Sequence, residues 1–165
     1  VTYRASLDAG TNSGVTLTNV AAATQWRSAN SAVAGSSGTI HIYQNTLTNG
    51  TPRLWIMRLK KNGLAFSKLA RHRRVTQCLG SLQGKEWFIA VSPPSDPADG
   101  ARPELARMAA FRIPGDCVVK LHVATWHAGP HFTHDECLFF NLENLDTNKR
   151  DFEDYELPNT FLISP

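Results

Sequence analysis

Downstream of Gly38 the chain is a succession of short apolar stretches cut by turn residues. Segments 40–44, 54–60, 64–72, 87–92, 108–113, 117–123 and 136–142 are rich in β-branched or aromatic residues and bounded by Gly, Pro, Asn or Asp. Stretches this short and this closely spaced predict the strands of a mainly β sandwich or barrel. Lys61-Asn62-Gly63 contains the dipeptide that favours a tight hairpin, so 54–60 and 64–72 are expected to pair antiparallel. Pro93-Pro94-Ser95-Asp96-Pro97 stops the strand before it and opens a long loop. The first 38 residues are rich in Ala, Ser, Thr, Asn and Gly and read as a surface arm, with a short helical turn inside 20–33. The expected layout is one domain: the arm over 1–38, a barrel over 39–144, and a tail over 145–165 that wraps the body or a partner subunit.

Composition supports that layout. At 165 residues with 42% hydrophobic and 19% charged positions, the chain can bury the core of a single domain, and general disorder is excluded. No uninterrupted apolar run reaches the ~18 residues that would suggest a membrane span, so no membrane partner is expected. Cys78, Cys117 and Cys137 contain no CxxC pair, which argues for a reducing compartment and against a disulfide scaffold. Thr2 to Gly14 is polar and shows no targeting signal. The expected location is the cytoplasm, or an organelle if a transit peptide has been removed.

The net charge of +3 conceals a division. Residues 1–85 carry 11 Lys or Arg and one acid, Asp8, whereas the remainder carries 6 basic and 13 acidic residues. Eight basic side chains and no carboxylate fall between Arg53 and Arg74. Such a surface attracts phosphates, but the interleaved aromatics of a single-strand binder are missing, so a small anionic ligand is the expected partner and nucleic acid is not.

Alternation along the strands then nominates chemistry. In 64–72, Phe66, Lys68, Ala70 and His72 share a face; in 117–123, Val118, Lys120 and His122 do, with Val119, Leu121 and Val123 opposite. Two strands each presenting a Lys and a His toward one cavity would suit an anionic ligand, with or without a metal. His41 and His134 read as surface residues. Trp126 alternates away from His127 and is expected in the core.

The spacing His72, four residues, Gln77, six residues, Gly84 resembles the second half of the first cupin motif, and His122 to His127 followed by His131 echoes the second. Ala70, Gln77, His122 and Ala124 depart from the usual His, Glu, Pro and Gly. The local sequence is more specific. LARHRRVTQCLGSLQGKEWFIAVSPPSDP, Leu69 to Pro97, and FRIPGDCVVKLHVATWHAGPHF, Phe111 to Phe132, resemble the ureidoglycolate lyase family, also called ureidoglycolate hydrolase, most of all its plant and algal branch. The resemblance runs from about Arg53 to Asn144, and Lys120 stands where bacterial members often carry Asn.

The resemblance implies a cupin-type double-stranded β-helix barrel, usually a homodimer, that cleaves (S)-ureidoglycolate to glyoxylate and urea in purine and allantoin breakdown. It places His72, Gln77 and His127 as ligands of a nickel, manganese or zinc ion. His122 and Lys120 become the candidate catalytic residues, and Lys68, Arg71 and Lys120 the substrate-binding ones. The reaction needs a base for the hydroxyl proton and an acid for the departing nitrogen, but no nucleophile. The alternative is a cupin that binds a small carboxylated or sugar-like ligand without turnover.

Overall fold

The computed structural model describes residues 50–96, 98, 100–115 and 117–165, together with Asn45 and Leu47 and the backbone of four strands in the first 41 residues. It divides into two units, Val1–Gln44 and Asn45–Pro165. In the first unit β1 (Thr2–Leu7) pairs antiparallel with β2 (Ser13–Thr18), and β3 (Ala23–Arg27) with β4 (Ser37–His41). The helical turn expected inside 20–33 is corrected by this pairing, since 23–27 is extended. Thr24 and Trp26 are weak helix formers of the types enriched in strands. The strand expected over 40–44 ends at His41, and 42–44 lie outside the described residues.

The second unit is built from two antiparallel sheets, the barrel-like all-β architecture that the short strands predicted. Its elements are β5 (Pro52–Lys60), β6 (Ala65–Arg71), β7 (Gln77–Ser81), β8 (Gly84–Ser92), β9 (Ala109–Gly115), β10 (Val119–Leu121), β11 (Trp126–His131), β12 (Glu136–Asn144), the short helix α1 (Thr147–Arg150) and β13 (Glu153–Leu162). One sheet runs β10-β7-β12-β5 and the other β13-β6-β11-β8-β9.

Why β5 is a strand is visible in its exposure, which alternates residue by residue: Leu54 and Ile56 face outward while Trp55, Met57 and Leu59 turn in. Its whole length is taken by β12, with Phe140 opposite Ile56 and Leu142 opposite Leu54. The hairpin expected between β5 and β6 is therefore corrected. β6 pairs instead with β13 and β11, and Lys61 to Leu64 carries the chain from one sheet to the other. Gly63 still supplies the left-handed residue of that turn, with φ +62, and bridges to Phe132.

Between the sheets lies a core of Leu79, Trp87, Ile89, Leu121, Phe132, Cys137 and Phe139, with Trp87 edge-on to Phe139 at 5.3 Å between ring centroids. Each such aromatic contributes about 2–3 kcal/mol on burial. A second cluster, Leu69, Ala90, Trp126, Ala128 and Leu157, covers the other face of the five-stranded sheet. Register explains the division: Ala128 pairs with Ala90 on that outer face, whereas His127 pairs with Val91 and Ala70 on the inner one. Trp126 is thus in the outer core, opposite to His127.

β13 shows how the acidic tail is used within the chain. It adds an edge strand to β6, and Lys68 sits between Asp154 and Glu156 at 3.6 and 2.5 Å. All three cysteines carry free thiols. Among the described residues no helix is long and apolar enough to cross a membrane.

Candidate functional site

Residues of six strands and the segments between them line a cavity of about 440 Å³ on the inner face of the five-stranded sheet, among them Lys68, His72, Gln77, His127, His131 and Asn141. His72 follows the last residue of β6 and points inward as Ala70 does. Its Nδ1 donates to the carbonyl of Asp151 at 2.7 Å, and His127 Nδ1 donates to the carbonyl of Thr125 at 3.1 Å. A carbonyl can only accept, so each ring carries a proton on Nδ1, and the neutral tautomer this selects has Nε2 as its acceptor. The two rings are 5.4 Å apart between centroids. Asp151 also accepts from the backbone N–H groups of Arg73 and Arg74 at 2.7 and 2.9 Å, which holds the loop after His72 in place.

Burial lowers the pKa of His127 to about 4, helped by the neighbouring His72 and opposed by the Thr125 carbonyl. It is neutral at pH 7. His131 is also pushed down by burial, against the pull of the Gly63 and Asn62 carbonyls. Its Nδ1 donates to Gly63 at 3.1 Å, and its Nε2 is buried without a partner among the described residues.

Bonded to Gln77 of this cavity is a carboxylate that composition could not place. Glu143 is fully buried on β12 and accepts from Arg53 Nη2 at 2.7 Å, Trp55 Nε1 at 3.1 Å and Gln77 Nε2 at 3.0 Å. Because a carboxylate takes only donors, it fixes the amide of Gln77 with Nε2 toward itself and Oε1 away. That oxygen is buried and has no partner among the described residues, and neither has Asn141 Oδ1, whose Nδ2 lies 3.8 Å from Met57 Sδ. A buried acceptor left without a donor costs about 1–3 kcal/mol, so these atoms mark where a donor or cation is needed. The signal in the sequence was the polar pair Asn141 and Glu143 on the inward alternation of β12, below Cys137 and Phe139.

Several expected site residues lie elsewhere. Arg71 is fully buried on the outer face, where it bonds Glu153, Ser95 and the carbonyls of Asp96 and Ala98 and lies 4.6 Å over the Trp126 ring. Its expected contact with substrate is corrected: the alternation that sends His72 inward sends Arg71 out. Lys120 and His122 are not in the His72 cavity either. They line a second concavity of about 570 Å³ at the β10 edge, together with Val119 and Leu121, which also pack into the core. The shared cavity expected for His72 and His122 is replaced by two separate ones. Lys68 does line the first cavity, as its only Lys or Arg among the described residues, with its pKa raised chiefly by the hydrogen bond to Glu156.

The arrangement offers the Nε2 atoms of three imidazoles, two amide oxygens without a partner among the described residues, and a rim cation, Lys68, that Asp154 and Glu156 already face. Among the described residues no group of three or more His, Cys, Asp or Glu is placed to hold a metal; any ion here would depend on the Gln77 amide oxygen as well. Compared with curated proteins, the chain finds no match. Compared with known families, residues 10–164 match the one described as ureidoglycolate lyase. A match over nearly the whole chain, with the paired imidazoles in its central cavity, means that this protein belongs to the ureidoglycolate lyase family.

Proposed function

We propose that the chain cleaves (S)-ureidoglycolate to glyoxylate and urea as a cupin-type lyase of the plant and algal branch, serving purine and allantoin breakdown. The observation that carries the reading is the inner cavity: imidazole Nε2 atoms of His72 and His127 beside the unpaired oxygens of Gln77 and Asn141. The substrate carries a carboxylate, a hydroxyl and a donor-rich ureido group. Lys68 at the rim suits the carboxylate, and Asn141 Oδ1 suits a ureido N–H.

Cleavage moves one proton and breaks one bond. The hydroxyl loses its proton, its oxygen forms the carbonyl of glyoxylate, the carbon–nitrogen bond breaks, and the nitrogen leaves as urea with the proton. His131 is the group assigned to that transfer, since its unpartnered Nε2 is held neutral by burial and can take the proton and return it. The low pKa that makes it a modest base makes its protonated form a good acid toward the departing nitrogen.

The donors also suit a divalent ion such as nickel, manganese or zinc. His72 and His127 have their Nδ1 atoms anchored on carbonyls, the usual outer support of metal-binding imidazoles, and the Gln77 amide is oriented by its Nε2 donation to Glu143, which turns Oε1 away from that carboxylate. His72, Gln77 and His127 would hold it, and when bound it would supply Lewis-acid polarisation of the substrate's carboxylate and hydroxyl.

The test is glyoxylate release from ureidoglycolate, paired with elemental analysis of protein purified without added metal. His131→Ala is expected to lower kcat by about 10²-fold or more with metal content unchanged. His127→Ala should lose the metal, and His122→Ala should keep the kcat of the unaltered protein. Saturable binding of ureidoglycolate without glyoxylate release would overturn the lyase reading in favour of a binding protein.

A further inference from the structure

The second concavity has a chemistry unlike the first. Its walls are Ile89, Val91, Phe111, Ile113 and Val119, contributed by β8 and the edge strand β9 of one sheet and by the edge strand β10 of the other, and it opens onto the inter-sheet core. Phe111 remains 51% exposed at its mouth. A volume of about 570 Å³ is in the range of small-molecule sites, ~300–1,000 Å³.

Charge at the rim is one-sided. Lys120 and Arg107 line the pocket beside the His122 imidazole, and among the described residues no Asp or Glu does. Arg107 reaches Glu104 at 3.3 Å, but both of those side chains are largely exposed, where such a pair is weak. Lys120 is half-buried and has no carboxylate partner among the described residues. A cation set against apolar walls is poorly hydrated and favours an anion that brings its own apolar body.

We propose that this pocket is a second binding site, for an amphiphilic monocarboxylate whose hydrocarbon part fills the apolar cavity and whose carboxylate meets Lys120 and His122. A doubly charged or sugar-like ligand would leave polar groups unpaired against Ile89, Val91 and Ile113. A neutral hydrocarbon would leave the cations unanswered.

The experiment titrates the full chain with decanoate, and separately with decanol, by calorimetry. Saturable decanoate binding is expected, weakened at least tenfold by Lys120→Glu and, as an exposed second variant, by Arg107→Glu, with decanol binding unchanged by either. Phe111→Ser should weaken both ligands, and His127→Ala should weaken neither. Decanol binding as tightly as decanoate, or decanoate indifferent to both charge reversals, would overturn the proposal. So would loss of decanoate binding in His127→Ala, which would put the ligand in the first cavity. A concentration-dependent dimer abolished by Phe111→Ser would give the pocket to a second copy of the chain, also against the proposal.

Discussion

Arg71→Met separates a structural role from a substrate-binding one. The guanidinium donates to Glu153 Oε2 from Nε at 2.9 Å and from Nη2 at 2.7 Å, to Ser95 Oγ at 2.9 Å, and to the carbonyls of Asp96 and Ala98 at 2.7 and 2.9 Å. It is also 4.6 Å above the Trp126 ring, whose Nε1 donates to the same Ser95 hydroxyl at 2.8 Å. Methionine fills much of the volume and makes none of these bonds. Two loop carbonyls losing a donor cost about 1 kcal/mol each, and the stacked cation about 1 kcal/mol more. Glu153 is 26% exposed and near Arg73, so it regains water and part of its charge balance. The sum is a loss of about 3 kcal/mol, in the range of a broken buried pair. At about 1–3 kcal/mol per molar urea, the unfolding midpoint should drop by at least 1 M, while KM for ureidoglycolate below that midpoint stays unchanged. Arg71→Lys should recover less than half, because an ammonium cannot reproduce the planar fork. An unmoved midpoint with a raised KM would refute the structural assignment and return Arg71 to the substrate.

Three further outcomes follow from the same geometry. In metal-free protein, His127 favours the neutral form in the folded state; its contribution is fully present above pH 6.5 and is lost as pH falls toward about 4, so melting temperature should fall over that window. The full span is on the order of 3 kcal/mol, and His127→Ala should flatten that part of the profile; a profile unaltered by the substitution would refute the shift. Gln77→Glu sets a second carboxylate against Glu143, where the amide now donates at 3.0 Å, and should lower stability by about 1–3 kcal/mol; added nickel should restore more melting temperature to this variant than to the parent. Gly115→Ala would place a Cβ 2.0 Å from the Gly84 carbonyl carbon, a backbone atom that cannot yield cheaply, so calorimetry should show a loss of at least about 1 kcal/mol.

Local alternation made the strands legible. Residues 54–60 and 136–142 reveal their faces because polar and apolar side chains alternate with the pleat, and the spacing of His72, Gln77 and His127 singled them out as candidates before any partner strand was known. β7, β11 and β13 were not. β7 is Gln-Cys-Leu-Gly-Ser without a β-branched residue, β11 contains Gly129-Pro130, and β13 has the composition of a solvated tail. Each is a strand because a neighbour supplies its ladder: β12 and β10 for β7, β6 and β8 for β11, and β6 for β13.

What the sequence alone determined, then, is the set of faces: which side chains travel together along each strand. The tertiary structure decided which partner each strand takes and which face is inside. β5 pairs with β12, some eighty residues away, and not with β6 across the Asn-Gly turn, because a nine-residue register burying Trp55, Met57 and Leu59 outweighs the propensity of one turn. The same competition turned Val119 and Leu121 inward and left Lys120 and His122 on a different cavity from His72. It also gathered Gln77, Glu143 and His127 from three strands into one site. Side-chain period is a property of consecutive residues, whereas burial is summed over the whole assembly of sheets, and the second quantity has no local signature.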